Sequence, residues 1–463
     1  MARKRVLVAM SGGVDSSVTA YVLQQQGYEC IGATMRLTCS RTFGDDTERS
    51  CCSLADLEDA EAVCARLGIP WQAIDFRETF SRAVIDKFVS TYEQGRTPNP
   101  CIDCNRYLKF GALLDRAREV GCDFVATGHY ARVSTLDRVL AETAGVGRGS
   151  IGGDTGKGID ADAGGVIDTA RSIAGVAPCG DAAGAAAGGP ADGGRPSSGM
   201  QPQVPAHPMD NRDRAAERAV LRRIAELAGG PVRTLSLGVD PAKDQSYVLY
   251  ALTQERLAHT LLPLGGLVKE RDVRKIAREQ GFSNAAKRDS QGICFVPDGD
   301  FARYIEERRG HALPTGNIVD AHGRVLGAHR GAIRYTVGQR KGLGVACAHP
   351  VYVTGIDARA NTVTLGENDE LMASALIADD WIWSAPASAM EALLDEAGDA
   401  GVPASAKIRY HHPSHACRMY RAENGIRLVF AAPERAIAPG QAVVVYALDT
   451  VLGGGTVREV PRG

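Results

Sequence analysis

The stretch SGGVDSS, residues 11–17, follows a short apolar run, KRVLVAM, and precedes a run with helical character. Two consecutive glycines allow a tight backbone turn, and the N–H groups after them point, with the helix N-terminus, towards a single position. The partial positive charge at that position favours an anion. No lysine follows the glycines, so the stretch differs from the GxxxxGK[ST] loop that transfers a γ-phosphoryl group. It predicts a phosphate-binding loop or an ordinary glycine-rich turn, and in both cases a buried strand that leads into a helix.

The residues around this stretch extend the pattern into alternating strands and helices. Strands are predicted over 4–10, 28–37, 71–76 and 122–128, and helices over 14–27, 53–68, 81–95 and 106–121. In the helix over 53–68, Ser53 is the expected N-cap and the apolar positions fall on one face. Such alternation is typical of a parallel sheet covered by helices. The sequence therefore predicts a doubly wound α/β domain.

Residues 144–200 differ in composition from their surroundings. Of these 57 residues, 17 are Gly and 12 are Ala, and none is Leu or aromatic. Such a segment buries too little apolar surface to offset the entropy cost of ordering the chain. We therefore predict a disordered insertion at about 143–212, followed by a helix over 214–230.

From about Gly299 the apolar pattern shifts towards a period of two, with turn residues such as Asn424-Gly425 between the runs. This pattern is typical of antiparallel strands in small barrels or meanders. The predicted domains are a nucleotide-binding catalytic domain over 1–297, interrupted by the insertion, a small β-rich domain over 298–370, and a C-terminal β-barrel over 371–463.

Composition restricts the partners and the compartment. The net charge is −2, so any surface that binds nucleic acid has to be a local basic patch. The sequence has no apolar run of about 18 residues and no signal peptide at its start. Its twelve cysteines are scattered, which suits a reducing compartment better than a disulfide framework. We predict a cytoplasmic monomer without a membrane segment.

Two of these cysteines, Cys101 and Cys104, lie in the stretch RTPNPCIDCN, residues 96–105. The Cys-x-x-Cys spacing fits a zinc corner, a redox dithiol, a pair of iron–sulfur ligands or a sulfur-carrying nucleophile. Zinc would need further ligands, for which Cys39, Cys51 and Cys52 are near in sequence. A separate cysteine, Cys294, lies in a loop rich in Asp, Ser and Gly, KRDSQGICFVPDGDF.

Six strings, which are SGGVDSS, GRTPNPCIDCN, ATGHYAR, KDQSYVLY, DSQGICF and YTVGQRKGLG, occur here in the order found in tRNA-specific 2-thiouridylases of the MnmA type. The chain resembles that family over nearly its whole length except the insertion. SGGVDSS also resembles the pyrophosphate loop (PP-loop) of the ATP-pyrophosphatase superfamily, whose members split ATP between its α and β phosphates. The resemblance implies a PP-loop α/β domain, a small central domain and an antiparallel β-barrel.

The family resemblance also implies a reaction. ATP, with Mg²⁺, adenylates the 2-carbonyl oxygen of the wobble uridine, and sulfur then replaces that oxygen with release of AMP and pyrophosphate. Cys104 resembles the family's nucleophile and Cys294 the residue that carries the persulfide, and the two thiols can end as a disulfide. The residues implied to bind ATP are Ala9, Met10, Ser11, Gly12, Gly13, Val14, Asp15, Ser16, Met35 and Gly128, with Asp15 near the Mg²⁺ ion.

The implied partners are the anticodon arm of tRNA and a sulfur-relay protein that donates persulfide. Because the wobble base is stacked in the anticodon, it has to be flipped out before its 2-position can react. The residues implied to bind tRNA are Asn99, Pro100, Cys101, His129, Lys243, Asp244, Gln245, Gln339, Arg409 and Tyr410.

Other readings of the sequence remain open. Many family members have Asp where this chain has Cys101, so Cys101, Cys104 and Cys294 could instead ligate a [4Fe–4S] cluster that carries the sulfur. A PP-loop ligase with a nitrogen nucleophile, such as argininosuccinate or GMP synthetase, would use the same ATP chemistry without the thiols. A nucleotide-sensing module fused to an RNA-binding barrel would bind ATP without releasing AMP.

Overall fold

The computed structural model describes residues 3–37, 54–143, 211–289 and 292–461. The strands in these ranges are β1 (Arg5–Ala9), β2 (Glu29–Arg36), β3 (Trp71–Asp75), β4 (Phe124–Ala126), β5 (Ala131–Thr135), β6 (Arg233–Leu237), β7 (Thr260–Leu261), β8 (Gly316–Val319), β9 (Val325–His329), β10 (Tyr352–Asp357), β11 (Thr362–Gly366), β12 (Met372–Trp383), β13 (Val402–Lys407), β14 (His415–Ala422), β15 (Gly425–Arg435), β16 (Ala442–Ala447) and β17 (Thr450–Glu459).

The helices fall mainly in the first half of the chain. The α-helices are Val14–Gln25, Leu54–Leu67, Arg77–Phe80, Asp86–Glu93, Pro100–Asp103, Leu113–Glu119, Leu136–Thr143, Asn211–Ala228, Gln254–Ala258, Arg274–Glu279, Phe301–Arg309 and Ala387–Ala397. Wider π-helical turns lie at Ser81–Ile85, Cys104–Ala112 and Lys269–Val273, and 3₁₀ turns lie at Ser246–Leu249, Pro263–Gly266, Ala332–Arg334, Asp369–Leu371 and Gly398–Ala400. None of the helices in the described ranges is long and apolar enough to cross a membrane.

The predicted parallel sheet is present, with strand order β3-β2-β1-β4-β7. Its central strand β1 pairs in parallel with β2 on one side and with β4 on the other. Val6, Leu7 and Val8 on β1 have no exposed surface, because helices cover both faces of the sheet. The phosphate-loop stretch therefore begins at the carboxyl end of the central strand, where open α/β sheets bind ligands.

The helix that contains the Cys-x-x-Cys motif begins earlier than predicted. The predicted helix over 106–121 is preceded by the helix Pro100–Asp103 and the wide turn Cys104–Ala112, with a kink at Phe110 (φ −112°, ψ 16°). Pro100 starts the first turn, a position where the missing N–H and the fixed φ of proline suit a helix. Cys101 and Cys104 are therefore both helical residues.

The strands β5 and β6 pair in antiparallel fashion on either side of the predicted insertion. Ser53 and residues 144–210 of the predicted insertion lie outside the described residues, but its end residues Thr143, Asn211 and Arg212 are helical. The helix predicted after the insertion is present as Asn211–Ala228. β6 also pairs with β17, through Thr450 opposite Ser236 and Val451 opposite Leu235. The antiparallel pair β5–β6 of the first domain thus continues the sheet of the C-terminal barrel.

The second half of the chain forms two β units. Strands β8 to β11 form a small sheet of order β10-β11-β8-β9 around Ile318, Val353 and Val363. Strands β12 to β17 form an antiparallel barrel that is closed by pairing of β12 with β17. The turn predicted at Asn424-Gly425 joins β14 to β15, whose first residue is Gly425. The predicted fold class is confirmed.

Candidate active site

The phosphate loop depends on Gly12. Its φ is +71°, and an added Cβ would lie 2.3 Å from the carbonyl oxygen of Asp56. Only glycine combines this left-handed conformation with so close an approach. Gly13 has an ordinary φ of −93° and immediately precedes the helix Val14–Gln25. The first N–H groups of this helix have no intrahelical acceptor and so are suited to bind an anion.

Hydroxyl groups hold the loop in shape from within. Ser16 Oγ donates to the Gly13 carbonyl (2.9 Å) and accepts from the N–H of Ser11 (3.2 Å), while Ser17 Oγ donates to the same carbonyl (3.1 Å). From outside, the buried Asn284 amide donates to Gly12 O (3.0 Å) and to Ser17 Oγ (2.9 Å). Asn284 has no local motif that would predict this role, because it lies 272 positions from Gly12.

The side chain of Lys287 contacts the outer side of the loop. Lys287 Nζ forms ion pairs of 2.7 Å with both Asp56 and Asp59 and donates to Gly12 O at 3.3 Å. Burial lowers the pKa of Lys287, but its hydrogen bonds to the two carboxylates outweigh burial and raise the pKa overall. Lys287 therefore stays charged and joins the loop to the helix Leu54–Leu67.

Asp15 belongs to a charged network behind the loop. Its carboxylate accepts from the Tyr130 hydroxyl (2.7 Å) and from Lys269 Nζ (2.8 Å). Lys269 is only 2% exposed, and it also pairs with Asp289 (2.6 Å), which in turn pairs with Lys243 (2.9 Å). The two lysines lower the pKa of Asp289 despite its burial. Sequence reasoning identified Asp15 and Lys243 but missed Lys269, for which no motif exists.

The remaining residues predicted to bind ATP are Ala9, Met10, Val14, Met35 and Gly128, of which Gly128 lies against the loop. An added Cβ on Gly128 would lie 2.9 Å from the backbone carbon of Asp15, so the chain passes directly against the loop there. Met10 and Val14 have buried side chains, so only their main chains can face a nucleotide. Met35 packs, partly exposed, at the junction of two apolar clusters.

Cys104 and Cys294 pack against one apolar cluster. That cluster includes Phe80, Phe88 and Phe295, and both cysteines lie partly buried at its edge, as does Met35. Two thiols that are far apart in sequence therefore lie at the edge of the same apolar cluster. Ser290 and Gln291, just before Cys294, lie outside the described residues.

Cys101 is exposed, whereas Cys104 and Cys294 are partly buried. Burial, with Asp244 and Cys101 nearby, raises the pKa of the Tyr410 hydroxyl to about 12. In the described part of the chain, the cysteines 101, 104 and 294 are not among the groups of three His, Cys, Asp or Glu side chains with metal-ligand spacing. These three thiols therefore do not form a site for a single ion, and their ligation of a [4Fe–4S] cluster stays a prediction. Cys39, Cys51 and Cys52, considered for zinc, lie outside the described residues.

A polar cleft of about 270 Å³ separates the Cys-x-x-Cys helix from the barrel. Its lining includes Asn99 together with Lys87, Arg96, Arg106 and Asp380. Arg106 pairs with Asp380 of β12 at 2.6 Å, and Lys87 pairs with the buried Asp103 at 2.7 Å. Burial raises the pKa of Asp103 although Lys87 opposes this shift. Sequence reasoning predicted Asn99 here and missed the basic side chains around it.

Several residues predicted to bind tRNA have side chains committed within the protein. His129 is buried, with Nδ1 2.7 Å from Thr127 Oγ1. Asp244 accepts from Gly238 N (3.0 Å), and Gln245 Oε1 accepts from Tyr130 N (2.9 Å). Gln339 closes its own turn through Thr336 N (3.1 Å). Their contacts with tRNA stay predictions.

Two predicted contacts lie between β13 and β14. Arg409 donates to the Ala436 carbonyl, and the Tyr410 ring lies 6.0 Å from that of Tyr247. Lys407, at the end of β13, lies 3.7 Å from Asp244. The connection therefore meets the Lys243–Gln245 segment and Cys101 on one side of the molecule.

A parallel α/β sheet with a pyrophosphate-type loop at its carboxyl edge and a C-terminal barrel defines a PP-loop enzyme with an appended β-barrel. Family models match in the same order: the tRNA methyl transferase HUP domain over 4–147 and 223–298, the tRNA methyl transferase PRC-barrel domain over 302–367, and the aminomethyltransferase beta-barrel domain over 373–457.

Curated relatives specify the family further. The tRNA-specific 2-thiouridylases MnmA of Geotalea uraniireducens and Geobacter metallireducens are each 40% identical to this chain over 98% of it, and cover 95% and 97% of their own lengths. That of Carboxydothermus hydrogenoformans is 40% identical over 99% of the chain and 98% of its own length. The chain belongs to the tRNA-specific 2-thiouridylase MnmA family.

One solved structure, described as a predicted subunit of tRNA methyltransferase from Methanocaldococcus jannaschii, aligns with a TM-score of 0.19 and 19% identity. It covers 27% of this chain and 52% of its own, and it carries no weight in the assignment.

Proposed function

We propose that the chain is an ATP-dependent tRNA-uridine 2-sulfurtransferase that uses Cys104 and Cys294 as its working thiols. Family membership supports the thiolation of tRNA and decides against a ligase with a nitrogen nucleophile and against a non-enzymatic sensor. The structural observation that carries the residue assignment is the packing of Cys104 and Cys294, 190 positions apart (294 − 104), against one apolar cluster with Met35.

The first step is adenylation at the phosphate loop. The 2-carbonyl oxygen of the wobble uridine attacks the α-phosphorus of ATP, and pyrophosphate leaves from the loop around Gly12 and Gly13. The helix N-terminus stabilises the negative charge of the departing phosphates. Mg²⁺, with Asp15 as its proposed ligand, would neutralise phosphate charge when bound. Lys269 holds the Asp15 carboxylate in place.

The second step replaces oxygen by sulfur. The terminal sulfur of a persulfide on Cys294 attacks C2, and AMP leaves with the original oxygen. The Cys104 thiolate then attacks Sγ of Cys294, which releases the thiocarbonyl base and leaves a Cys104–Cys294 disulfide. In a second route, Cys104 attacks first and hydrosulfide is the nucleophile at C2. Both routes need thiolates, whose formation a positive environment favours. External thiols reduce the disulfide, and a sulfur-relay protein supplies the next persulfide.

We place the flipped base near Asn99, Pro100 and Cys101. The cleft beside Asn99 is lined by Lys87, Arg96 and Arg106 and also by the carboxylates of Asp103, Asp379 and Asp380. Lys87 and Arg106 pair with Asp103 and Asp380, so we assign Arg96 as the cation that meets an RNA phosphate there. Arg409 and Tyr410 extend this surface onto the barrel. Within this proposal the enzyme works in the cytoplasm, where its tRNA is.

The thiol assignment is tested by thiolation of unmodified tRNA transcripts with ATP and a persulfide donor. Cys104→Ser and Cys294→Ser are each expected to lose thiolation by at least about 10³-fold, because serine cannot carry or transfer sulfur at neutral pH. Cys347→Ser, at an exposed cysteine outside the site, is the matched control and is expected to keep full activity. Full thiolation by either of the first two variants would contradict the assignment.

The choice between persulfide and cluster chemistry is tested at position 101. Under the persulfide scheme Cys101→Asp keeps thiolation within about twofold, because Cys101 then has no role in sulfur transfer. Anaerobic purification with iron and sulfide analysis accompanies this assay. Stoichiometric iron in the wild type, lost together with activity in the Asp variant, would contradict the persulfide scheme.

A further inference from the structure

Three potential metal ligands meet on the C-terminal barrel, away from the phosphate loop. They are His412 in the connection between β13 and β14, His415 at the first position of β14, and Glu434 near the end of β15. One ligand atom from each lies within 4.8 Å of the other two. No other group of this kind occurs in the described ranges of the chain.

The surroundings of these side chains are unusual for residues without a metal. Glu434 is only 3% exposed, and one oxygen of its carboxylate contacts Nδ1 of His415. The other ring nitrogen, Nε2 of His415, is buried and has no hydrogen-bond partner among the described residues, and the same is true of the neighbouring Ser414 Oγ. Buried polar atoms nearly always have a partner, because an unpaired one costs about 1–3 kcal/mol. The two nitrogens of an imidazole point in different directions, so an ion shared with Glu434 would bind Nδ1 of His415, and a water would then pair with Nε2.

The donor set indicates the type of metal. Two imidazoles and one carboxylate bind Zn²⁺ and other divalent transition metals, and a water completes a tetrahedral site. His412 Nδ1 lies 3.1 Å from the carbonyl of Pro413, an interaction that fixes the ring and directs its other nitrogen away from the backbone. Lys407 and Arg409 are the nearby positive groups, and they oppose a cation. The buried Glu434 carboxylate offsets that opposition.

We propose that His412, His415 and Glu434 form a zinc-type metal site that fixes the connection between β13 and β14. The metal would join this connection to β15, since His412 and His415 belong to the connection and the start of β14, and Glu434 belongs to β15. The same connection carries Arg409 and Tyr410, and the N–H of His412 closes its turn onto Arg409 O (3.1 Å). A metal here would therefore hold the two proposed tRNA contacts in position. The effect on tRNA rests on the proposed function, whereas metal binding itself does not.

Metal binding is tested on the full chain without a histidine tag, stripped of metal and titrated with Co²⁺ and with Zn²⁺. The wild type is expected to bind one equivalent with nitrogen and oxygen ligands. Such ligation shows visible d–d bands of Co²⁺ without the strong near-ultraviolet thiolate band. His412→Ala and His415→Ala are expected to weaken this binding by at least about tenfold. His411→Ala removes the adjacent exposed imidazole and is the matched control, with unchanged binding.

Stability gives a readout that does not depend on activity. Zn²⁺ is expected to raise the melting temperature of the wild type and of His411→Ala but not of His412→Ala, since only a folded site binds the ion. Circular dichroism of the metal-free variants checks that they fold. Equal metal binding by the wild type and by both ligand variants, or a spectrum dominated by thiolate ligation, would overturn the site.

The proposed effect of the metal on tRNA binding is tested separately. In buffer that contains Mg²⁺, a zinc-selective chelator is expected to raise the KM of the wild type for tRNA severalfold. The KM of the wild type for ATP and the KM of the His412→Ala enzyme for tRNA are expected to stay unchanged. A bound metal whose removal does not change the KM for tRNA would overturn this role. Zinc binding by a wild type that thiolates no tRNA would instead contradict the proposed function and leave the site standing.

Discussion

Gly12 shows how one residue can decide whether the site forms. Its left-handed backbone and its distance from Asp56 mean that any side chain meets backbone atoms, which cannot move aside as a flexible side chain would. Gly13, the next residue, has φ −93°, and the nearest atom to an added Cβ is Ser11 Oγ at 3.4 Å. The two glycines of the motif therefore have different functions, although the sequence alone treats them alike.

Gly12→Ala is expected to weaken ATP binding by at least about tenfold, because strain and the clash with Asp56 would displace the loop. Gly13→Ala, which meets only ordinary contacts, is expected to change ATP binding by less than about threefold. Calorimetric titration of ATP with Mg²⁺ into each folded variant measures the difference. If the two variants bound ATP equally well, the steric argument for Gly12 would be wrong.

Residues with a local signature were predictable from the sequence, and their partners were not. The glycine-rich loop, the Cys-x-x-Cys motif and Cys294 each have a recognisable local sequence. Lys269 and Asn284 have none, because their roles arise from contacts with residues 254 and 267–272 positions away. A buried lysine between Asp15 and Asp289 is visible only when the chain is folded.

At the scale of elements, helix Asn211–Ala228 contains a charged residue in an unusual position. Glu217 is 2% exposed, and its carboxylate accepts from the N–H of Leu448 at 2.6 Å. Leu448 lies in the turn between β16 and β17. Burial raises the pKa of Glu217 from its ordinary value near 4.5 to about 7. The helix that follows the insertion is thus attached to the barrel by a group that titrates near neutral pH.

This attachment predicts a pH dependence of stability. Below pH 4.5 Glu217 is protonated in the folded and unfolded chains alike. Between pH 4.5 and about 7 the unfolded chain has lost this proton while the folded chain still holds it, so the free energy of unfolding falls as the pH rises. Above about pH 7 both states are deprotonated, and the stability contributed by the protonated carboxyl is lost. Glu217→Gln keeps an acceptor for Leu448 and is expected to be more stable than the wild type at pH 8 by roughly 3 kcal/mol, with little difference at pH 4.5.

Thermal melting of both proteins between pH 5 and pH 8 measures this difference. Glu226→Gln, at an exposed position of the same helix, is the control and is expected to show no such trend. A constant gap between wild type and Glu217→Gln across this range would show that Glu217 does not titrate there.

The elements predicted correctly are those whose sequence pattern spans only a few neighbouring residues. Buried runs predicted the strands of the parallel sheet, and alternation predicted the barrel hairpin at Asn424-Gly425. The pairing of β6 with β17 was not predicted, because it joins residues more than 200 positions apart. The kink at Phe110 was missed because the helical pattern continues through it.

At the scale of the whole molecule, described residues on the two sides of the segment 144–210 contact one another. The Arg218 guanidinium donates to the Thr143 carbonyl, and β5 and β6 pair from Thr135–Arg233 to Ala131–Leu237. The family model for the first domain leaves out residues 148–222. The described residues on the two sides of the segment therefore contact one another directly.

Replacement of residues 144–210 by a short Gly/Ser linker is therefore expected to keep the melting temperature within a few degrees and thiolation within about threefold. Melting curves and the tRNA assay on the shortened chain test this. A large loss of thiolation in a shortened protein that still folds would assign the segment a part in the reaction.

The strand β17 is hydrogen-bonded to β12 and β16 within the barrel and to β6 of the nucleotide-binding domain. Further bonds reinforce this junction, from Thr97 N to Pro439 O (2.9 Å) and from Gln441 to Thr97 O (3.1 Å). One continuous ladder of strands therefore joins the barrel to the nucleotide-binding domain, and moving the barrel away from that domain would break these hydrogen bonds. Within the proposed function, the anticodon loop bends to meet the joined domains, and tRNAs whose loops distort easily are expected to be the better substrates.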